Sequence, residues 1–188
     1  MKIILCSKSN IKKDMISRWF KEKKNIEIDL EKIDIENDAL PPQPIGDDIK
    51  LICLKKINDI RDNYNNIDYI ISIENYVDIL EDMLNYRLCM CVYKYNSNEY
   101  LTIVNDGVSL DLDIMNNYPN FLLVLKDLKD SYKNTKNKYI FNGCEDKLSN
   151  LVHKYYPDIP KNNFIKLLKN KKYDKFNQFS LLLDEIFI

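Results

Sequence analysis

Within the first 75 residues, short uninterrupted apolar runs alternate with stretches whose apolar residues recur at helical spacing. A chain that switches repeatedly between these periods has few ways to bury both kinds of surface. The simplest is a sheet of central strands covered by helices, an α/β arrangement. Residues 2–6 are continuously apolar after Lys2, as in a strand buried on both faces. Met15, Ile16, Trp19 and Phe20 then repeat as one face of a helix, behind Ser9 or Asn10 as its cap. Ile26, Ile28 and Leu30 alternate, which predicts a half-buried strand over 26–33. A Pro-rich stretch follows, and Asp47-Asp48 stand where they could cap a helix striped by Ile49, Ile52, Cys53, Ile57, Ile60 and Tyr64. A second buried-strand run, 68–74, finishes in Glu74.

Beyond this N-terminal α/β unit, about residues 1–78, the pattern changes. Runs at 87–95, 99–104 and 107–113, separated by Asn-rich turns, predict consecutive antiparallel strands. The C-terminal third is mainly helical and ends in a stripe of Phe176, Phe179, Leu182, Leu183, Ile186 and Phe187. No internal repeat and no long linker divides the chain. The expectation is one domain over 1–188, with a mixed central sheet flanked by helices.

The bulk properties exclude several classes. A formal net charge of -1 argues against whole-surface attraction to nucleic acid or to an anionic membrane, and no run approaches the length of a membrane span. With 25 Lys, 23 Asn and a single Ala, the composition is skewed, so a Lys-rich stretch carries less weight than usual. The basic run from Lys166 to Lys175, with Tyr173 among Lys169, Lys171 and Lys172, offers charges and a ring to a nucleic acid. A solvated helix end accounts for it better. Five cysteines without zinc spacing fit reduced thiols in a cytoplasmic compartment. His153 has no acid partner within motif distance, and three glycines are too few for a P-loop or a dinucleotide fingerprint.

Two places remain for chemistry. One is the junction Ser7-Lys8-Ser9-Asn10-Ile11-Lys12-Lys13, where a helix N-terminus presents free N–H groups and lysines crowd the end that a phosphate prefers. Solvated lysines in a Lys-rich protein are the alternative. The other is Glu74, predicted at the carboxyl end of a buried strand, where open α/β sheets bind ligands. Glu36, Asp38, Asp47 and Asp48 flank the Pro-rich loop, and Glu36 would converge with Glu74 if their strands are neighbours.

Three segments, in order, resemble the inosine/xanthosine triphosphatase family, which acts on aberrant purine nucleotides. Ser9-Asn10-Ile11-Lys12-Lys13 is similar to its Thr/Ser-x-Asn-Pro-x-Lys motif, Gln43-Pro44-Ile45-Gly46 to its Gln-Pro-x-Gly loop, and Ser72-Ile73-Glu74-Asn75-Tyr76 to its Gly-Ile-Glu-x-Gly strand end. Tyr76 stands in place of the last glycine, and Ile57 where the helix after the loop carries Arg. The resemblance implies an ITPase-like fold, often a homodimer, and Mg-dependent hydrolysis of ITP or XTP to the diphosphate and phosphate, with Mn as a substitute metal. It implies Glu74 and Lys13 as catalytic residues. Lys8, Ser9, Asn10, Lys12, Lys13, Glu74 and Asn75 would hold the substrate, and Glu74 and Glu36 the metal. The alternative is an inactive relative kept as a nucleotide-binding or protein-interaction module.

Overall fold

The computed structural model describes residues 1–35, 38–80, 83–110, 118–135, 137–159 and 175–187. Its centre is a mixed sheet with strand order β2-β1-β4-β5-β6, and β7 also pairs with β5. β1 (Lys2–Leu5) lies parallel to β2 (Asp29–Lys32) on one side and to β4 (Tyr69–Leu80) on the other. β5 (Met83–Lys94) runs antiparallel to β4, and β6 (Glu99–Val104) and β7 (Val108–Leu110) pair with successive parts of β5. A small second sheet joins β3 (Gln43–Pro44) to β8 (Gly143–Cys144).

α1 (Asn10–Trp19) and α2 (Ile49–Asn58) cover opposite faces of this sheet. On one face Ile16, Trp19 and Phe20 meet Ile3, Leu5, Ile71 and Ile73, and the final helix α5 (Lys175–Ile186) adds Phe179, Leu182 and Leu183. Trp19 closes this layer by donating its Nε1–H to Asp184 Oδ1 at 3.0 Å. On the other face Ile49, Cys53 and Ile57 meet Ile4, Ile70, Tyr76 and Cys91. Strict alternation of side chains along a strand sends odd and even residues of β1 and β4 into these two layers, so both must be apolar. That is why these runs show no alternation in the sequence.

A third core lies further along the β4–β5 hairpin. There Val77, Leu84 and Tyr86 pack against α3 (Phe121–Thr135) and α4 (Leu148–Tyr155) through Phe121, Val124, Leu128, Leu148 and Val152.

Several elements differ from the sequence expectation. β4 does not stop at Glu74 but continues for six more residues, because Val77 and Ile79 remain paired with β5 and packed against the third core. β5 likewise begins at Met83, ahead of the predicted 87. The predicted strand over 107–113 is seen as Val108–Leu110, and residues 111–117 lie outside the described residues. Asp48 sits at the head of α2 without capping it; its carboxylate instead accepts from Asn142 N at 3.0 Å and Asn142 Nδ2 at 2.7 Å. Just before it Gly46 has φ +73°, the left-handed region that a side chain would strain, so the Gln-Pro-x-Gly turn requires glycine there.

Among the described residues, no helix is long and apolar enough to cross a membrane. The basic run from Lys166 falls almost wholly outside the described residues.

Candidate anion-binding cleft at the end of β1

β1 is the strand at which the parallel order reverses: the chain leaves it through α1 to β2 on one side and returns through α2 to β4 on the other. Helices on opposite faces diverge at such a point and leave a crevice beyond the strand's carboxyl end. β1 pairs with β4 only as far as Leu5–Ile71, so the edge of β4 is uncovered by β1 from there on. Glu74 lies on that uncovered stretch. It is not at the end of its own strand, as expected, but it is beyond the end of its neighbour.

A cleft of about 460 Å³ opens here. The loop after β1 forms one wall, and Gln43 with Lys147, Leu148 and Ser149 at the start of α4 forms another. Glu74 is held from both faces of the sheet. Lys56, from α2, donates to Glu74 Oε1 at 2.6 Å. Lys12, from α1, places its Nζ 3.7 Å from Glu74 Oε2 and donates to the Ile73 carbonyl. The side chains of Lys12, Lys56 and Glu74 are 11%, 18% and 18% exposed.

Buried charges survive only when paired, and the pairing here sets the ionisation. Burial acts to raise the Glu74 carboxyl pKa, but the positive charges of Lys12 and Lys56, the Lys56 hydrogen bond and the more distant Lys147 outweigh it. The net direction is downward, so Glu74 is held ionised. For Lys56, burial acts to lower the pKa, and the Glu74 carboxylate reverses the sign and raises it. Three ammonium groups around one carboxylate leave the cleft with an excess of positive charge.

Ser9 caps α1, its Oγ accepting from Lys12 N at 3.3 Å, and lines the cleft. Lys8 stands at the cleft rim, paired with Asp34 at 3.0 Å. Asn75 lines the cleft, and its Oδ1 is buried with no hydrogen-bond partner among the described residues. Asn10 is exposed and accepts from Lys32 Nζ, outside the lining. Lys13 is half-buried and is also not among the lining residues. On a helix, adjacent residues point about 100° apart, so the turn of α1 that buries Lys12 against Ile73 directs Lys13 elsewhere. Glu36 lies outside the described residues.

Sequence reasoning missed Lys56 and Lys147. Lys56 precedes Ile57, the position at which the resembled family carries Arg, and this offset was the available signal. Lys147 follows no motif, and only the packing of α4 brings it to the cleft. Gln43 has a structural role: its Oε1 accepts from Leu148 N at 3.1 Å and so ties the Gln-Pro-x-Gly loop to the head of α4. Gly143, opposite, has no room for a side chain between Pro41 and the Gln43 carbonyl. Tyr76 turns its bulk into the core beneath α2 at 2% exposure and does not line the cleft. His153 bonds the Ile159 carbonyl through Nδ1 at 3.1 Å, a structural contact within the third core's surroundings.

No cluster of three or more His, Cys, Asp or Glu side chains suited to a metal occurs among the described residues. A hard cation that keeps most of its waters and binds substrate phosphates needs only one or two protein oxygens. Glu74 and Asn75 both line the cleft, and their side-chain oxygens would be the ones to hold such a cation.

Fold and cleft together define a mixed α/β protein with a switch-point crevice whose charge suits an anion. This fold is also that of protein VC0702 from Vibrio cholerae, with a TM-score of 0.67 at 15% sequence identity over 97% of this chain and 90% of that one. A nucleoside-triphosphatase/dITP/XTP pyrophosphatase from Mycobacterium abscessus aligns over 56% of this chain and 71% of that one, at 10% identity and a TM-score of 0.42. No protein-family model and no curated protein sequence matches the chain.

Proposed function

We propose that the cleft receives the phosphates of a purine nucleoside triphosphate, ITP or XTP, and that the protein hydrolyses it to the diphosphate and phosphate as a homodimer. The observation that carries this reading is the convergence of Lys12, Lys56 and Lys147 on one ionised carboxylate at the sheet's switch point. The excess positive charge there attracts a polyanion and stabilises the charge that develops on it in the transition state.

In the reaction, a water oxygen bonds to the γ-phosphorus, the bridging bond to the β-phosphate oxygen breaks, and the water's proton passes to solvent. Lys12, fixed by the Ile73 carbonyl, holds its ammonium in place against the charge that develops on the phosphates. Lys56 and Lys147 neutralise the leaving diphosphate, and Lys8 and Ser9 act at the outer part of the substrate. Magnesium at Glu74, with Asn75 beside it and Mn as a substitute, would supply neutralisation of the phosphates and activation of the water.

A second reading is a module that binds the nucleotide without turnover. The close Lys56–Glu74 pair favours it, since that carboxylate oxygen is already engaged. Phosphate release from ITP, XTP, dITP, GTP and ATP, with Mg and with EDTA, separates the two. Mg-dependent release from ITP or XTP supports the enzyme. Binding of the same nucleotides by folded protein without release supports the module.

A further inference from the structure

Glu74 and its two lysines form a closed unit. The carboxylate presents Oε1 to Lys56 at 2.6 Å and Oε2 toward Lys12 at 3.7 Å, and all three side chains are largely buried. A divalent cation approaching Glu74 in this state meets two ammonium groups within the carboxylate's own contact shell, and like charges at that range repel strongly. A polyphosphate approaching the lysines meets a carboxylate already seated on them. The site as built therefore disfavours each ligand alone.

We infer that Glu74 is a built-in anion that occupies the Lys12–Lys56 pair until a polyphosphate displaces it, and that only the carboxylate so released can take a divalent cation. This rests on the reading of the cleft as a polyphosphate site, and it adds an order: anion first, cation second. The two lysines are not equivalent in this exchange. Lys12 is anchored on the Ile73 carbonyl as well as facing Glu74, so it can receive phosphate oxygens in place. Lys56 donates its short bond to Glu74 and has to change partner. The exchange conserves pairing throughout: each ammonium passes from a carboxylate to a phosphate oxygen, and the carboxylate passes from ammonium to cation, so no buried charge is left alone.

The test uses the whole chain and inorganic tripolyphosphate, followed by calorimetry in EDTA, for the wild type and Glu74→Gln. Removing the competing anion is expected to tighten tripolyphosphate binding at least about tenfold, or 1.4 kcal/mol. A second arm titrates Mn2+ alone and follows the free-ion paramagnetic resonance signal. Lys56→Met is expected to bind Mn2+ at least about tenfold more tightly than the wild type, a gain that disappears in Lys56→Met/Glu74→Gln. Circular dichroism of each variant establishes that it is folded. Equal tripolyphosphate affinity in the wild type and Glu74→Gln overturns the inference and leaves the anion-binding reading standing, as does Mn2+ binding by the wild type equal to that of Lys56→Met. Tighter binding by Glu74→Gln, together with no release from any nucleotide by the wild type, supports the inference and refutes the hydrolase. If neither protein binds tripolyphosphate, the anion cleft and the inference both fall.

Discussion

Replacing Lys56 by Met keeps most of the length of the buried side chain and removes its charge, which makes the change mainly a test of the electrostatic contribution of the Glu74 pair. In the folded protein Glu74 Oε1 then loses its 2.6 Å donor while its side chain stays 18% exposed. Removing one partner of a well-buried pair costs about 3–5 kcal/mol. Here Lys12 remains 3.7 Å from the other oxygen and Lys147 still contributes, so the appropriate magnitude is that of one hydrogen bond to a charged group, about 1.5–3 kcal/mol. For a chain of this size, each kcal/mol lowers Tm by about 2–4 °C, so a loss of about 2 kcal/mol lowers it by about 4–8 °C. Urea unfolding of the wild type, Lys56→Met, Glu74→Gln and the double variant gives the coupling energy directly. It is expected to exceed about 1 kcal/mol, well above the 0.3–0.5 kcal/mol by which distant sites depart from additivity. The pH dependence supplies a second check. The Glu74 carboxyl pKa is depressed in the fold, so its contribution is present above the ordinary carboxyl value of 4.5 and is lost as the pH falls through the lower folded value. The Lys56 contribution has the opposite sign: it is present below 10.5 and lost as the pH rises toward its raised folded value. A coupling energy within 0.5 kcal/mol of zero at neutral pH would refute the pairing argument and, with it, the electrostatic account of the cleft.

Other outcomes follow from the same geometry. Lys12→Met is expected to lower nucleotide turnover by about a hundredfold, as loss of one preorganised transition-state donor does, whereas Lys13→Met changes it less than about twofold; steady-state phosphate release compares them, and equal effects would mean that α1 presents the other lysine to substrate. Burial pushes the thiol pKa up at Cys6, and at Cys91 and Cys144 to about 11, so stability is full below the ordinary thiol value of 9.0 and falls as the pH rises beyond it; thermal melts between neutral and alkaline pH would show this, and a flat profile would contradict it. Gly46→Ala places a side chain at φ +73° and is expected to lose about 1–2 kcal/mol, read as a shift of the urea midpoint with an unchanged slope.

The α/β class of the N-terminal unit followed from the sequence alone, because helical and strand periods are written locally in which residues are apolar. Residues 2–6, the α1 and α2 stripes and the final Phe176–Phe187 stripe were all legible for that reason. Glu74 was legible as a carboxylate after a buried run, and Ser9 as a cap. The sequence did not determine which lysine of the pair Lys12-Lys13 faces inward, since that depends on how α1 is rotated against Ile73. Nor did it show that Lys56 and Lys147, 91 residues apart by their numbers, share a cleft with Lys12. β4 appeared to end at Glu74 because a polar residue in an apolar run reads as a terminus. In three dimensions it is the neighbouring β1 that ends, and β4 continues into a separate core. Local pattern specifies which surfaces must be buried. Only the order of strands around β1 decides where burial stops, and Lys12, Lys56, Lys147 and Glu74 converge at that point.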